Sequence, residues 1–189
     1  MRGELSLAAY ELVLGKGFEN VTVDDMAAAG GVSRSTFLRY FGTKDEAVLT
    51  ALETHAARLA DALRARPADE DDWTALRRAI EAFVIPIYQK DRAGALAVTR
   101  LILYTSALSG RQQERQDWRT PLTRALAERA GVSGPVPLTL ALKVVAAMEC
   151  LNLAIAYWSA ADGELDLVGL IDQGFAVLGD ESVRSEPTR

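Results

Sequence analysis

The chain has 189 residues, 49% hydrophobic and 25% charged, a balance that suits one large or two small folded domains and argues against global disorder. Its net charge of −5 excludes a bulk attraction to nucleic acid, so such a partner must be met by a local patch. One cysteine, Cys150, and one histidine, His55, leave no intrachain disulfide and no metal-ligand cluster, which fits a reducing cytoplasm and a protein that needs no metal or cofactor.

Helical periodicity recurs almost everywhere, without a repeat, a low-complexity tract or a convincing strand, and the expectation is an all-α fold of about nine helices. The opening "MRGELSLAAYELVL" carries Glu4 and Glu11 among its apolar residues and is not expected to be a signal peptide. A helix over residues 4–17 would bury Leu5, Ala8, Ala9, Leu12 and Val13 and stop near Gly15 and Gly17. Three start signals follow in close order: Thr22 with Asp25, Ser33 with Thr36, and Thr43 with Glu46. Each has N-cap and N3 spacing, and the first and third have capping-box form, so helices are expected over 23–30, 34–41 and from 44 onward. Gly31 stands where the first two must reverse tightly, which makes them a helix-turn-helix.

Downstream the helices lengthen. One is expected over 44–66, halted by Pro67 before the acidic loop 68–72, and another over 73–90 with a kink at Pro86. Residues 92–108 and 111–130 follow, the latter with a possible break at Pro121, then 137–161 and 165–179 before a frayed tail at 181–189. The stretch 136–161 is the most apolar, but it contains Lys143, Glu149 and Asn152, so a helix buried on two sides is expected rather than a membrane span.

The pattern Gly17-Phe18, Thr22-Val23, Ala27, Gly31-Val32-Ser33, Thr36-Phe37, Tyr40-Phe41 and Lys44-Asp45-Glu46 resembles the TetR/AcrR family of bacterial transcriptional regulators. The resemblance implies an all-helical homodimer with an N-terminal three-helix DNA reader, placed here at residues 1–46, and a C-terminal ligand-sensing and dimerisation domain at 47–180. It covers the first fifty or so residues, and beyond them only helix count and length agree. Two departures bear on affinity more than on mechanism. Leu38 stands where an aromatic residue is usual, and the basic arm before the first helix is reduced to Arg2.

Within the reader, Phe37 and Phe41 are four apart and should face inward with Val32, leaving Arg34, Ser35, Leu38 and Arg39 outward for a major groove. Arg34 suits guanine O6 and N7, Ser35 and Thr36 are short enough for base edges or phosphates, and Tyr40 and Lys44 are placed for phosphate. With Thr22 and Ser33 these complete the expected DNA-facing set. Residues 1–46 hold five basic residues against seven acidic ones, so binding depends on concentrating Arg34, Arg39 and Lys44 on one face.

The terminal helices are apolar on two sides, which points to a four-helix seam between subunits through Ala141, Val145, Leu167, Leu170, Ile171, Gly174 and Leu178. Phe83, Ile87, Tyr88, Leu101, Tyr104, Trp118, Met148, Asn152 and Tyr157 could line a pocket for an apolar or amphipathic small molecule, or simply fill a core. His55 has no visible partner and reads as a surface or packing residue. No nucleophile with a base, carboxylate pair, metal cluster or phosphate loop is evident, so an enzyme is not expected. The reading is a ligand-responsive repressor on a pseudo-palindromic DNA operator. The alternative is a helical small-molecule-binding protein with weak or lost DNA binding.

Overall fold

The computed structural model describes residues 1–104, except for the side chain of Tyr104, and residues 119–179. Among these there is no strand, and nine α-helices appear: α1 (Arg2–Lys16), α2 (Val23–Ala29), α3 (Arg34–Phe41), α4 (Lys44–Arg64), α5 (Asp72–Lys90), α6 (Arg92–Tyr104), α7 (Arg119–Arg129), α8 (Leu138–Ala160) and α9 (Leu167–Gly179). A single 3₁₀ turn, Phe18–Asn20, links α1 to α2. Helix α7 begins at Arg119, two residues before Pro121, the earlier part of the expected 111–130 helix lying outside the described residues, and α5 contains Pro86.

The three start signals act as caps. Thr22 and Asp25 form a complete capping box, Thr22 N–H donating to Asp25 Oδ2 at 2.8 Å and Asp25 N–H to Thr22 Oγ1 at 3.1 Å. Thr36 N–H donates to Ser33 Oγ and Glu46 N–H to Thr43 Oγ1, both at 3.2 Å. Asp71, which sequence inspection assigned to a loop, caps α5 by accepting from the N–H groups of Trp73 and Thr74. Gly31 takes φ +67 between α2 and α3, a left-handed conformation that costs glycine little and reverses the chain there.

Two apolar cores result, and α4 belongs to both. Its first half supplies Ala47, Val48, Ala51 and Leu52 to a core with Leu5, Val13, Met26, Phe37 and Phe41. Its second half supplies Leu59, Ala60 and Leu63 to a larger core with Ile80, Leu122, Leu126, Val144, Leu151 and Ile171. The N-terminal core thus reaches past residue 46 to Leu52, and it also recruits Val98 from α6. A ring of ion pairs closes the far end: Arg66 and Arg78 both meet Glu70, while Arg129 of α7 donates to the carbonyl of Pro67 at 2.8 Å. The Arg66 and Arg78 guanidinium groups hold the Glu70 carboxyl well down, at about 2.

α6 is held against α1 by a backbone approach. A Cβ added at Gly94 would stand 1.9 Å from the carbonyl oxygen of Leu14, a group that cannot swing aside. Gly94→Ala should therefore push α6 off α1 and destabilise the fold by about 1–3 kcal/mol, the usual cost of overpacking. Urea unfolding of the variant measures it, and an unchanged midpoint would mean that the two helices separate freely.

Candidate functional site

Helix α3 is built to show one face. Phe37 is fully buried and Phe41 nearly so, with ring centroids 4.8 Å apart, and they fix the helix on the N-terminal core. Ser35 and Arg39 are exposed on the other side, Arg34 is exposed at the first turn on the side of Phe41, and Thr36, Leu38 and Tyr40 are half-buried. The hydroxyls of Thr22 and Ser33 are occupied by capping, that of Ser33 also lying 3.0 Å from both Ser35 Oγ and Thr36 Oγ1. Their first role is to set the start and angle of the reader helices.

The three cations expected on one face differ in their engagement. Arg34 pairs with Asp24 of α2 at 2.8 Å. Both side chains are more than half exposed, so the pair is worth about 0–1 kcal/mol and yields readily to a better anion. Arg39 lies with its guanidinium carbon 5.9 Å from the centre of the Tyr40 ring, and among the described residues it meets no carboxylate or carbonyl. Lys44 departs from the expectation of a phosphate ligand. Its Nζ donates to the carbonyls of Phe18 at 3.0 Å and Val21 at 2.7 Å and lies 4.5 Å from the Phe18 ring centroid. The Phe18 carbonyl also accepts from Val21 N–H at 3.4 Å, and the turn aims both carbonyls at the start of α4. Hydrogen bonds to a charged group contribute about 1.5–3 kcal/mol each, which favours this placement of the ammonium.

A contrast between two variants follows. Arg39→Ala should weaken DNA binding and make its salt slope shallower by about one unit. Lys44→Met should lower the unfolding midpoint and leave the salt slope nearly unchanged. The reverse pattern in salt-dependent titrations would return Lys44 to the phosphate face.

The residues expected to line an effector pocket do not converge. Phe83, Tyr88 and Met148 are half-buried against the large core, Leu101 lies against the N-terminal core, and Ile87 is half-buried on α5. Asn152 and Tyr157 are exposed, Tyr157 at 65%, so they stand on the outer face of α8 rather than inside. The physical reason is register: Leu151, Ala154 and Trp158 take the inward positions of the same turns. The side chain of Tyr104 and all of Trp118 lie outside the described residues. Trp158, not foreseen as a site residue, meets Tyr88 edge-on at 5.1 Å, and the Tyr88 hydroxyl is 3.4 Å from Thr99 Oγ1.

His55 is a packing residue, and an unusual one. Its ring sits between Tyr10 of α1, at 5.3 Å, and Phe83 of α5, at 5.5 Å, both edge-to-face. Both ring nitrogens are shielded from solvent, and neither has a hydrogen-bond partner among the described residues. Such a group costs about 1–3 kcal/mol when left unmet. Burial pushes the imidazole down to about 4, Arg58 adding to the effect and Glu11 opposing it. Below the ordinary value of 6.5 the unfolded chain then takes up a proton that the fold refuses, so stability falls with acid. The loss should reach about 2 kcal/mol at about pH 5 and about 3 kcal/mol near the folded pKa. Urea midpoints from about pH 7 to about pH 5 read it, and His55→Phe should flatten the profile. An equal fall in the variant would assign the loss to other groups.

The terminal helices also sort differently from expectation. Val145 is exposed at 37%, Leu178 is exposed, and Ala141 and Leu170 are half-buried, so these four remain available to a partner. Leu167 and Ile171 are buried within the subunit, and Gly174 rests against Cys150, where a Cβ would come within 3.1 Å. These three hold α9 on α8 in one chain and are not seam residues. The outer face adds Leu138, Leu142, Leu153 and Val177, exposed at 72%, 55%, 52% and 74%. Leu138 and Leu142 stand at i and i+4 with Val145 at i+7, a helical spacing legible in the sequence.

Comparison with known proteins supplies a context for this geometry. A family model described as bacterial regulatory proteins, tetR family, matches residues 7–50, and one described as MftR C-terminal domain matches residues 70–182. The HTH-type transcriptional regulator TcmR of Streptomyces glaucescens is 32% identical over 139 residues, covering 69% of this chain and 61% of that protein. The HTH-type transcriptional regulator EthR of Mycolicibacterium smegmatis is 32% identical over 152 residues, covering 76% of this chain and 67% of the relative. The crystal structure of Thermus thermophilus FadR, a TetR family transcriptional repressor in complex with lauroyl-CoA, has a TM-score of 0.63 and 19% identity, covering 100% of this chain and 99% of the other. At that identity the likeness is one of fold.

Proposed function

Because the chain belongs to the TetR family of bacterial regulatory proteins, we propose that it is a transcriptional repressor, not an enzyme, that binds a pseudo-palindromic operator as a homodimer in the bacterial cytoplasm. A small apolar or amphipathic effector in the helical domain releases the DNA. The observation that carries this reading is the exposed surface of α3, where Arg34, Ser35 and Arg39 are open to solvent on a helix locked by Phe37 and Phe41. A helix so fixed can enter a major groove with its first residues against base edges, and two of them in a dimer would meet half-sites about one helical turn apart.

The dimer is supported by α8. By length and composition α8 could cross a membrane, yet Val144, Ala147, Leu151 and Trp158 pack one side of it into the subunit's own core. The opposite side leaves Leu138, Leu142, Leu153 and Tyr157 uncovered, interrupted by exposed Glu149 and Asn152, and Val177 and Leu178 of α9 are exposed as well, apolar surface of the kind that subunits bury. Release follows if effector binding tilts α4, since a rod shared by both cores carries a shift in one to the reader in the other. Linkage requires operator DNA to weaken effector binding by the same factor as the reverse, typically about 5–150-fold.

A second reading, a helical small-molecule-binding protein with weak DNA affinity, is favoured by the commitment of Lys44 to backbone carbonyls and the Arg34–Asp24 pair. Mobility shifts on the gene's own upstream region at several salt concentrations separate the two readings. Salt-sensitive, sequence-specific retardation supports the repressor, and its absence supports the alternative. Leu142→Asp and Val145→Asp each place a charge in the proposed seam and should shift the protein to monomers or aggregates in sedimentation. Folded dimers of normal mass in both variants would move the seam elsewhere.

A further inference from the structure

The neutral side chains of Tyr10, His55 and Phe83 bring three helices to one point: α1 of the reader, the shared rod α4, and α5 of the larger core. The polar edge of the middle ring is unmet on both sides, with one N–H or one lone pair idle at each nitrogen. Nothing in the reader, the caps or the outer face of α8 uses it. We propose that a neutral aromatic molecule bearing a hydroxyl or carbonyl group binds at this junction, its polar group hydrogen-bonded to the His55 imidazole. This deepens the effector part of the proposed function and rests on it.

The chemistry selects that class in two steps. The surroundings are aromatic, with Tyr10 and Phe83 already edge-to-face with the imidazole, so a flat ring can take the same type of contact. The site also lacks a surplus charge. Arg58 disfavours the imidazolium and Glu11 favours it, so their fields oppose each other at the ring, and burial keeps the imidazole neutral. A carboxylate would have to shed its hydration and would face Glu11 as well as Arg58, whereas a hydroxyl or carbonyl satisfies an idle nitrogen at no charge cost. Position gives the site its consequence. His55 lies between the part of α4 that serves the N-terminal core and the part that serves the larger one, against a residue of α1. A ring inserted there separates α1 from α4 at the point where the reader is held.

Three probes of equal ring size isolate the polar group: 2-naphthol, naphthalene and 2-naphthoate. With one histidine in the chain, the imidazole ¹⁵N signals report on His55 alone. Addition of 2-naphthol to the full-length protein should shift those signals, and it should bind about tenfold tighter than either other probe, the factor expected of one recovered hydrogen bond. His55→Phe, which keeps the aromatic contacts, should bind 2-naphthol and naphthalene equally. The inference is overturned by equal binding of 2-naphthol and naphthalene to the unaltered chain, by binding that leaves the imidazole signals in place, or by no binding at millimolar probe. The spectra of the unaltered protein decide the matter even if the variant fails to fold. Operator binding measured on the same samples keeps the two readings apart. Its absence removes the repressor and leaves the His55 site standing, while operator release by a probe that leaves the imidazole signals unmoved keeps the repressor and removes the site.

Discussion

Everything in this molecule hangs on α4 being one continuous helix whose two halves are buried in different cores. Ala47, Val48, Ala51 and Leu52 are sealed among α1, α2 and α3, and Leu59, Ala60 and Leu63 among α5, α7 and α8. A helix has no soft joint unless a proline, glycine pair or inserted group provides one, and α4 contains none of these. Displacing either end therefore strains the packing at the other, and dense packing resists gradual deformation. The small residues on its buried stripe matter as much as the large ones, because alanine at 47, 51, 56 and 60 lets neighbouring helices approach closely.

That constraint explains why the polar details cluster where they do. At its N-terminus α4 is pinned by Thr43 and by the bonds from Lys44 to the 3₁₀ turn, and from outside by Arg2, whose guanidinium reaches Thr50 and approaches Glu46. At its C-terminus Arg64 joins Asp61 and Glu128, tying the rod to α7. Midway stands His55, the one position on the rod where a polar ring is sealed without a partner. The two ends are well satisfied and the middle is not, so the middle is where a ligand gains most by binding.

The reader shows how a chain acidic in sum can present cations to DNA. Of the five basic residues in positions 1–46, Lys44 is spent on carbonyls and Arg2 on α4, Lys16 is exposed at the end of α1, and Arg34 and Arg39 are exposed on α3. Asp24 holds Arg34 in an exposed pair that orients its guanidinium at little cost to release. Local geometry, rather than net charge, sets the potential at that surface.

The features legible in the sequence are those governed by neighbours along the chain. The caps at Thr22, Ser33 and Thr43, the reversal at Gly31 and the inward turn of Phe37 and Phe41 each depend on residues within about four positions, where helical geometry alone dictates who meets whom. Tertiary structure decided what depends on contacts between distant segments. Lys44 faces outward by periodicity, but carbonyls from the preceding turn claim its ammonium. Leu167 and Ile171 read as seam residues because α8 and α9 are apolar all round, and only their mutual packing selects the covered stripe. His55 has no partner in sequence, and its place between Tyr10 and Phe83 joins positions 45 and 28 residues away. Periodicity sets which residues share a face of a helix, and only the assembled helices decide what that face meets.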